Sequence, residues 1–162
     1  QAWIGAARFC VLSTIGSAGT DGSPRGDLGP VVRIQDDKTL LLPDWPGNNR
    51  LDSLRNIVED GRISLMFMVP GSDTVVRVNG QASLTTDPDL CASFLDNKGG
   101  PVCVMVITVQ EVYIQCAKSI KRAALWQTRN APLVPSLGQI LNEATDLESG
   151  GASSGGYSAH TS

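Results

Sequence analysis

The sequence predicts a mainly β fold of the α+β class, a six- to seven-stranded antiparallel Greek-key barrel with peripheral helices. Six or seven short apolar runs are bounded by Gly, Pro, Asn and Asp, as is typical of strands and turns. Three helical periodicities lie between these runs, without the regular alternation of a parallel sheet. The chain has 162 residues, 41% of them hydrophobic, which is enough for one substantial core.

The individual elements follow from apolar periodicity and from turn residues. Strands are predicted over 8–14, 29–35, 39–43, 62–69, 74–85, 102–109 and 111–116, the last two being either antiparallel neighbours or one bent strand. Helices are predicted over 90–95, 118–126 and 136–144, and another begins near Asn48 or Asn49 and ends at Gly61. Residues 2–7 resemble the end of a helix, and we expect further residues ahead of them.

Residues that favour turns and helix caps lie between these elements. The Gly-rich stretch 16–24 is predicted to be a long turn, and Asp36-Asp37-Lys38 joins two strands as a hairpin. Asn79-Gly80 lies inside a long strand pattern, which favours a bulge or bend over a hairpin turn. Thr86-Asp87-Pro88 has the order of a helix cap followed by proline.

The composition argues against several classes of function. The net charge of −3, with scattered Lys and Arg, argues against a nucleic-acid partner. No apolar run approaches the roughly 20 residues of a membrane span, so we expect no membrane association. The four cysteines are far apart, which predicts neither a disulfide framework nor a metal site and suits a reduced cytoplasmic setting. The single histidine, His160, lies in a Ser/Gly-rich tail, so we expect any reaction chemistry to come from a bound cofactor.

Three polar clusters interrupt the barrel pattern. Residues 23–27 could bring backbone amides close to a ligand, or could form a surface turn with a solvated ion pair. Residues 43–55 combine open amides, a helix dipole and Arg50, which favours a phosphate; ordinary helix capping is the alternative. Residues 113–122 deliver Gln115 and Lys118 at a strand end, or form a basic helix that faces solvent.

These clusters occur together and in order in one family. Over about 9–126 the chain resembles the pyridoxamine 5′-phosphate oxidase-like, FMN-binding split-barrel proteins. The resemblance is strongest to a bacterial branch with the motifs S-P-(K/R)-G-D, R-P-G-N-x-R-L-D-S-L-x-N, R-V-N-G and C-A-K-x-x-x-R-x-x-L-W. The corresponding residues here are 23–27, 45–56, 77–80 and 116–126.

The resemblance implies an antiparallel split barrel that forms a homodimer, with FMN at the subunit interface. The cofactor-binding residues that it implies are Arg25, Asp27, Arg33, Pro43, Asp44, Asn48, Asn49, Arg50, Gln115 and Lys118. At the phosphate, Asn49 and Arg50 stand where the oxidases have an arginine-lysine pair, and Arg33 stands where the family has a lysine. Pro43 and Asp44 stand where the oxidases present a tyrosine-threonine pair to the flavin.

The remaining implied contacts are to the isoalloxazine ring. Arg25 and Asp27 would approach its edge, while Gln115 and Lys118 would reach it from the partner subunit. Lys118 is the candidate cation that raises the flavin's potential. Val75 replaces a flavin-contacting glutamine of the oxidases, and their Arg-x-His signature is absent, so the resemblance does not predict vitamin B6 oxidation.

We therefore expect an FMN-dependent oxidoreductase that acts on a small molecule. The alternatives are a flavin carrier, a haem-binding relative, a dimerisation module without ligand, or a protein that uses the deazaflavin F420 instead of FMN. The domain prediction is a split barrel over 1–130, a helical extension over 131–148 and a flexible Gly/Ser-rich tail over 149–162.

Overall fold

The computed structural model describes residues 1–47, 51–95, 99–127 and 134–150, the last range with side chains to residue 145. The chain divides into two compact units, Gln1–Trp126 and Gln127–Ser162. The described strands, all in the first unit, are β1 (Phe9–Gly16), β2 (Gly19–Gly26), β3 (Arg33–Ile34), β4 (Thr39–Asp44), β5 (Arg62–Met68), β6 (Val75–Thr85) and β7 (Cys103–Gln115). The helices of that unit are α1 (Ala2–Ala6), α2 (Asp52–Glu59), α3 (Pro88–Ala92) and α4 (Lys118–Ala123), and the second unit contains α5 (Leu137–Gly150).

The strands form a seven-stranded antiparallel sheet in the order β2-β1-β5-β6-β7-β4-β3. This confirms the predicted mainly β, antiparallel fold with peripheral helices. One apolar cluster on a single face of the sheet contains the fully buried Leu65, Phe67, Val78, Met105 and Ile107. Because strand side chains alternate between faces, one shared core means that the sheet curls around it.

The hairpin of β1 and β2 corrects the prediction of a long turn over 16–24. The two strands pair from Phe9 opposite Gly26 to Gly16 opposite Gly19, so only two residues lie between them. Gly19 has a φ of +123°, which favours glycine at the start of the second strand. The strand was missed because its Gly-rich sequence with Pro24 is unusual for a sheet interior, whereas an edge strand such as β2 tolerates it.

The predicted strand over 29–35 is wrong in extent, since only Arg33–Ile34 pair with β4. The hydrophobic pattern that suggested a strand instead reflects burial, because Val31 and Val32 lie in the core. The hairpin turn is confirmed, and Asp36 accepts a hydrogen bond of 2.8 Å from the Lys38 amide.

The predicted bulge at Asn79-Gly80 is confirmed, and its extra residue is on β7: Asn79 pairs with Glu111 and Gly80 pairs with Val109, so Gln110 is left over in the register. The register with β7 shifts between Asn79 and Gly80. A Cβ on Gly80 would lie 2.2 Å from the carbonyl oxygen of Thr108, so the backbones approach too closely there for a side chain. The runs 102–109 and 111–116 form one strand, β7, which resolves the two alternatives in favour of a single bent strand.

The helices agree with the predictions except at their ends. Asp87 caps α3 by accepting a 2.8 Å hydrogen bond from the Leu90 amide. The helix α2 has Leu51 at its N-cap, later than the predicted Asn48 or Asn49, which lie outside the described residues. The helix α4 ends at Ala123 because Ala124 adopts a left-handed conformation, and α5 extends to Gly150. Among the described helices, none has the length and apolar character needed to cross a bilayer.

We predict that Gly80→Ala lowers the free energy of unfolding by about 2 kcal/mol, because the added methyl group must displace the Thr108 backbone. Urea denaturation measures this change. Gly22→Ala is the matched control, since a Cβ there meets nothing within 4 Å, and we expect it to change stability by less than about 1 kcal/mol. Equal stability of the two variants would contradict the role assigned to the bulge.

Candidate functional site

Two predicted site residues, Arg25 and Asp44, face the interior at one end of the sheet. Arg25 on β2 lies opposite Cys10 in the strand register, and Asp44 on β4 lies opposite Cys103. Directly opposed residues of an antiparallel pair point to the same face. Since Cys10 belongs to the core and Cys103 is buried, both charged side chains point inward.

Arg25 and Asp44 form an ion pair through Nη1 and Oδ1. Their side chains are only 18% and 15% exposed, so water screens this pair less than a surface pair. The strands β2 and β4 are not neighbours, because four strands separate them in the sheet. The ion pair therefore bridges two distant parts of the curled sheet.

A cavity of about 160 Å³ adjoins this ion pair, and its lining includes Arg25, Asp27, Pro43 and Trp45. The Nε of Arg25 is buried and has no hydrogen-bond partner among the described residues. An unsatisfied buried donor costs about 1–3 kcal/mol, so this N–H is suited to an acceptor supplied by a ligand.

A larger cavity of about 400 Å³ shares Asp27 and Pro43 with the smaller one. Its lining includes Arg33, whose Nη1 and Nη2 donate to the hydroxyl and carbonyl oxygens of Ser93 at 2.8 and 2.7 Å. The Arg33 guanidinium also lies 3.7 Å from the centre of the Phe94 ring. These contacts fix the guanidinium against the wall of the cavity.

Comparison with known proteins agrees with this architecture. A family model described as pyridoxamine 5′-phosphate oxidase matches residues 1–116. The chain belongs to the pyridoxamine 5′-phosphate oxidase family. A search of curated proteins finds no match.

Solved structures similar to this member of the family share its fold at low sequence identity. A variant of HupZ from Group A Streptococcus is 19% identical with a TM-score of 0.58, covering 70% of this chain and 94% of the other. General Stress Protein 26 of Bacillus anthracis is 16% identical with a TM-score of 0.54, covering 70% and 88%. An FMN-binding protein of Syntrophomonas wolfei is 16% identical with a TM-score of 0.53, covering 68% and 78%.

The residues around the smaller cavity fit a flavin ring. The side chains of Pro43 and Trp45 contribute apolar surface that suits a planar ring, and the Arg25 guanidinium contributes hydrogen-bond donors that suit its polar edge. Asp27 is exposed, and its Oδ1 accepts a 2.6 Å hydrogen bond from the Leu28 amide. Of the ten site residues inferred from the family resemblance, the structure gathers five at the two cavities: Arg25, Asp27, Arg33, Pro43 and Asp44.

The other five predicted residues fall into two groups. Asn48, Asn49 and Arg50 lie outside the described residues, so their assignment to a phosphate stays a prediction. Gln115 pairs with Val75 at the far end of β7, a strand whose other end pairs with Asp44. Because 13 residues of strand extend about 40 Å, Gln115 and the following Lys118 are remote from the site within one chain.

Sequence reasoning missed three residues at this site. Trp45 lines the smaller cavity, and its position directly after Pro43-Asp44 was the available signal. Ser93 and Phe94 hold Arg33, but they lie some 60 residues away in the chain and no local pattern links them to it.

Trp126 does not line either cavity. Its indole N–H donates a 2.7 Å hydrogen bond to the Ser72 carbonyl oxygen, so the side chain is attached to the turn before β6.

The two cysteines opposite the ion pair are protonated at neutral pH. Burial raises the pKa of Cys10 from 9.0 to about 12, although the charge of Arg25 opposes this. Burial also raises the pKa of Cys103, with the negative charge of Asp44 adding to the effect. Both thiols therefore act as small apolar groups, whereas Cys91 is half-buried and Cys116 is exposed.

We predict that alkaline pH destabilises the fold partly through Cys10. Its folded pKa lies above the unfolded value, so its contribution is present below pH 9 and is lost as the pH rises towards 12. Cys10→Ala should reduce the decline in unfolding free energy over this window, by up to about 1.4 kcal/mol per pH unit. Urea denaturation at several pH values measures the slope, and Cys116→Ala, which removes an exposed thiol, should leave it unchanged.

Proposed function

We propose that this protein binds FMN and is a flavin-dependent oxidoreductase that acts on a small molecule. The observation that carries the proposal is the buried, unpartnered Nε of Arg25, whose side chain lines a cavity together with Pro43 and Trp45, in a member of the pyridoxamine 5′-phosphate oxidase family. When bound, FMN supplies the electron-transfer chemistry, for which the protein provides binding, orientation and electrostatics.

Each end of the flavin has its own proposed residues. Arg25, held by Asp44, would donate a hydrogen bond to the polar edge of the ring, and Pro43 would contact its face. Arg50 would bind the phosphate by a charge-assisted hydrogen bond, assisted by Asn48 and Asn49. The role proposed for Arg33 at the phosphate is limited to its remaining donors, because Ser93 already accepts from Nη1 and Nη2.

The larger cavity is the proposed site for the small-molecule substrate. Its volume of about 400 Å³ falls within the range of roughly 300–1,000 Å³ that is usual for such sites. It shares Asp27 and Pro43 with the smaller cavity, so a molecule bound there would adjoin the proposed flavin site. The absence of the Arg-x-His signature from the sequence supports a substrate other than pyridoxamine 5′-phosphate.

The end of β7 supports a homodimer. Val112 and Ile114 pair with Val78 and Val76, whose side chains belong to the core, so all four point to the same face. Yet Val112 is 54% exposed and Ile114 is 74% exposed in the single chain. A second copy covering this apolar end could also bring its Gln115 and Lys118 to the flavin site, as the family resemblance implies.

The cysteines support a reducing compartment such as the cytoplasm. All four thiols are free, and two of them are buried. Free thiols at half-buried and exposed positions persist most readily where the surroundings keep them reduced.

We predict that the purified protein retains FMN on gel filtration, which is seen as the absorption bands of the flavin in the protein fraction.

We further predict that Arg50→Ala weakens FMN binding by about 2 kcal/mol, or about 30-fold. The expected loss reflects one charge-assisted contact to the phosphate. Fluorescence titration with FMN measures the affinity.

The matched control is Arg55→Ala, which removes the same charge from an exposed position on α2 and should leave the affinity unchanged. Failure of the wild-type protein to retain FMN would refute the proposed function. Equal affinity of the wild type and Arg50→Ala would refute the phosphate assignment alone. Reduction of the bound flavin by NADH or NADPH would separate an oxidoreductase from a flavin carrier.

We also predict that Ile114→Asp converts a dimer into a monomer, because a buried carboxylate in an apolar interface lacks a partner. Light scattering coupled to gel filtration gives the mass. Val58→Asp is the control, since Val58 is 75% exposed on α2 and the substitution introduces the same charge elsewhere. A wild-type protein that is monomeric at micromolar concentration would contradict the dimer.

A further inference from the structure

We propose that Asp44 is a positioning residue that orients Arg25 towards the flavin and offsets its positive charge, thereby lowering the reduction potential of the bound flavin. This inference rests on the FMN-binding function proposed above. It assigns to the ion pair a role in tuning the cofactor as well as in joining β2 to β4.

The geometry of the guanidinium supports the positioning role. Its five N–H groups lie in one plane in a fixed arrangement, so a hydrogen bond at one nitrogen restricts the directions of the others. Asp44 accepts from Nη1, while Nε is buried and has no partner among the described residues. The carboxylate therefore fixes the orientation of a guanidinium that lines the cavity and has an unpartnered N–H.

The charges around the smaller cavity support the tuning role. Arg25 lines this cavity, and Asp44 neutralises it at close range with both side chains more than four-fifths covered. The fields of both groups reach the neighbouring thiol, since Asp44 raises the pKa of Cys103 and Arg25 lowers it. Asp27 adds a second carboxylate to the lining, but it is exposed to solvent and therefore more strongly screened.

Reduction adds negative charge to a flavin, so a nearby cation binds the reduced form more tightly than the oxidised form. A carboxylate paired with that cation opposes this preference. Removing the charge of Asp44 while keeping its oxygen should therefore favour the reduced flavin. Asp44→Asn meets both conditions, because the amide oxygen can still accept from the Arg25 Nη1.

The test compares the affinities for oxidised and reduced FMN in the wild type, Asp44→Asn and Asp44→Ala. For Asp44→Asn we expect the preference for reduced FMN to rise about tenfold, which corresponds to an increase in potential of about 30 mV for a two-electron couple. For Asp44→Ala, which also frees the guanidinium, we expect oxidised FMN to bind about tenfold more weakly than in Asp44→Asn. Dye-coupled anaerobic reduction gives the potential, and fluorescence titration gives the affinity for oxidised FMN.

The chain offers a matched control in Asp60→Asn, which removes the carboxylate of another Asp-Arg pair, the one with Arg62 on the surface. This variant should bind FMN with the wild-type affinity and potential. If the wild type binds FMN and Asp44→Asn changes the redox preference by less than twofold, the tuning role is refuted and the proposed function stands. If oxidised FMN binds equally to Asp44→Asn and Asp44→Ala, the positioning role is refuted. If the wild type binds no FMN, both this inference and the proposed function fail.

Discussion

The ion pair between Arg25 and Asp44 is the constraint on which the arrangement of the candidate site depends. It connects β2, at one edge of the sheet, with β4, which four strands separate from it. Without it, an inward-facing charge would remain on each strand without its partner, and an uncompensated buried charge costs more than the pair itself contributes. Each charge therefore compensates the burial of the other, and the ion pair keeps the chain segments that follow β2 and β4 close together.

This requirement explains why Asp27 and Pro43 line both cavities. Asp27 directly follows β2, and Pro43 lies next to Asp44 near the end of β4, so joining the two strands places Asp27 and Pro43 together. The larger cavity then extends towards Arg33, which Ser93 and Phe94 hold from the other side. The site is thus formed by segments from three parts of the chain, and its polar groups are fixed by contacts between them.

A second constraint acts along β6 and β7. The extra residue Gln110 in β7, opposite Asn79 and Gly80, changes which face the later residues of β7 present, and the missing side chain of Gly80 allows the two backbones to approach closely. As a result, Val112 and Ile114 continue the core-facing surface beyond the part that the single chain covers. The same feature of the backbone thereby bends the sheet and leaves an apolar end on which the proposed dimer depends.

The sequence by itself determined the fold class, the bulge at Asn79-Gly80 and the Asp87 cap, because alternation, a glycine within a strand and a cap before proline are local signals. The family resemblance likewise indicated Arg25 and Asp44 as site residues. Only the tertiary structure decided that these two residues form an ion pair, that β2 is a strand, and that Ser93 and Phe94 hold Arg33. Those features depend on contacts between segments far apart in the chain, where pairing and burial outweigh the local preferences that a sequence pattern records.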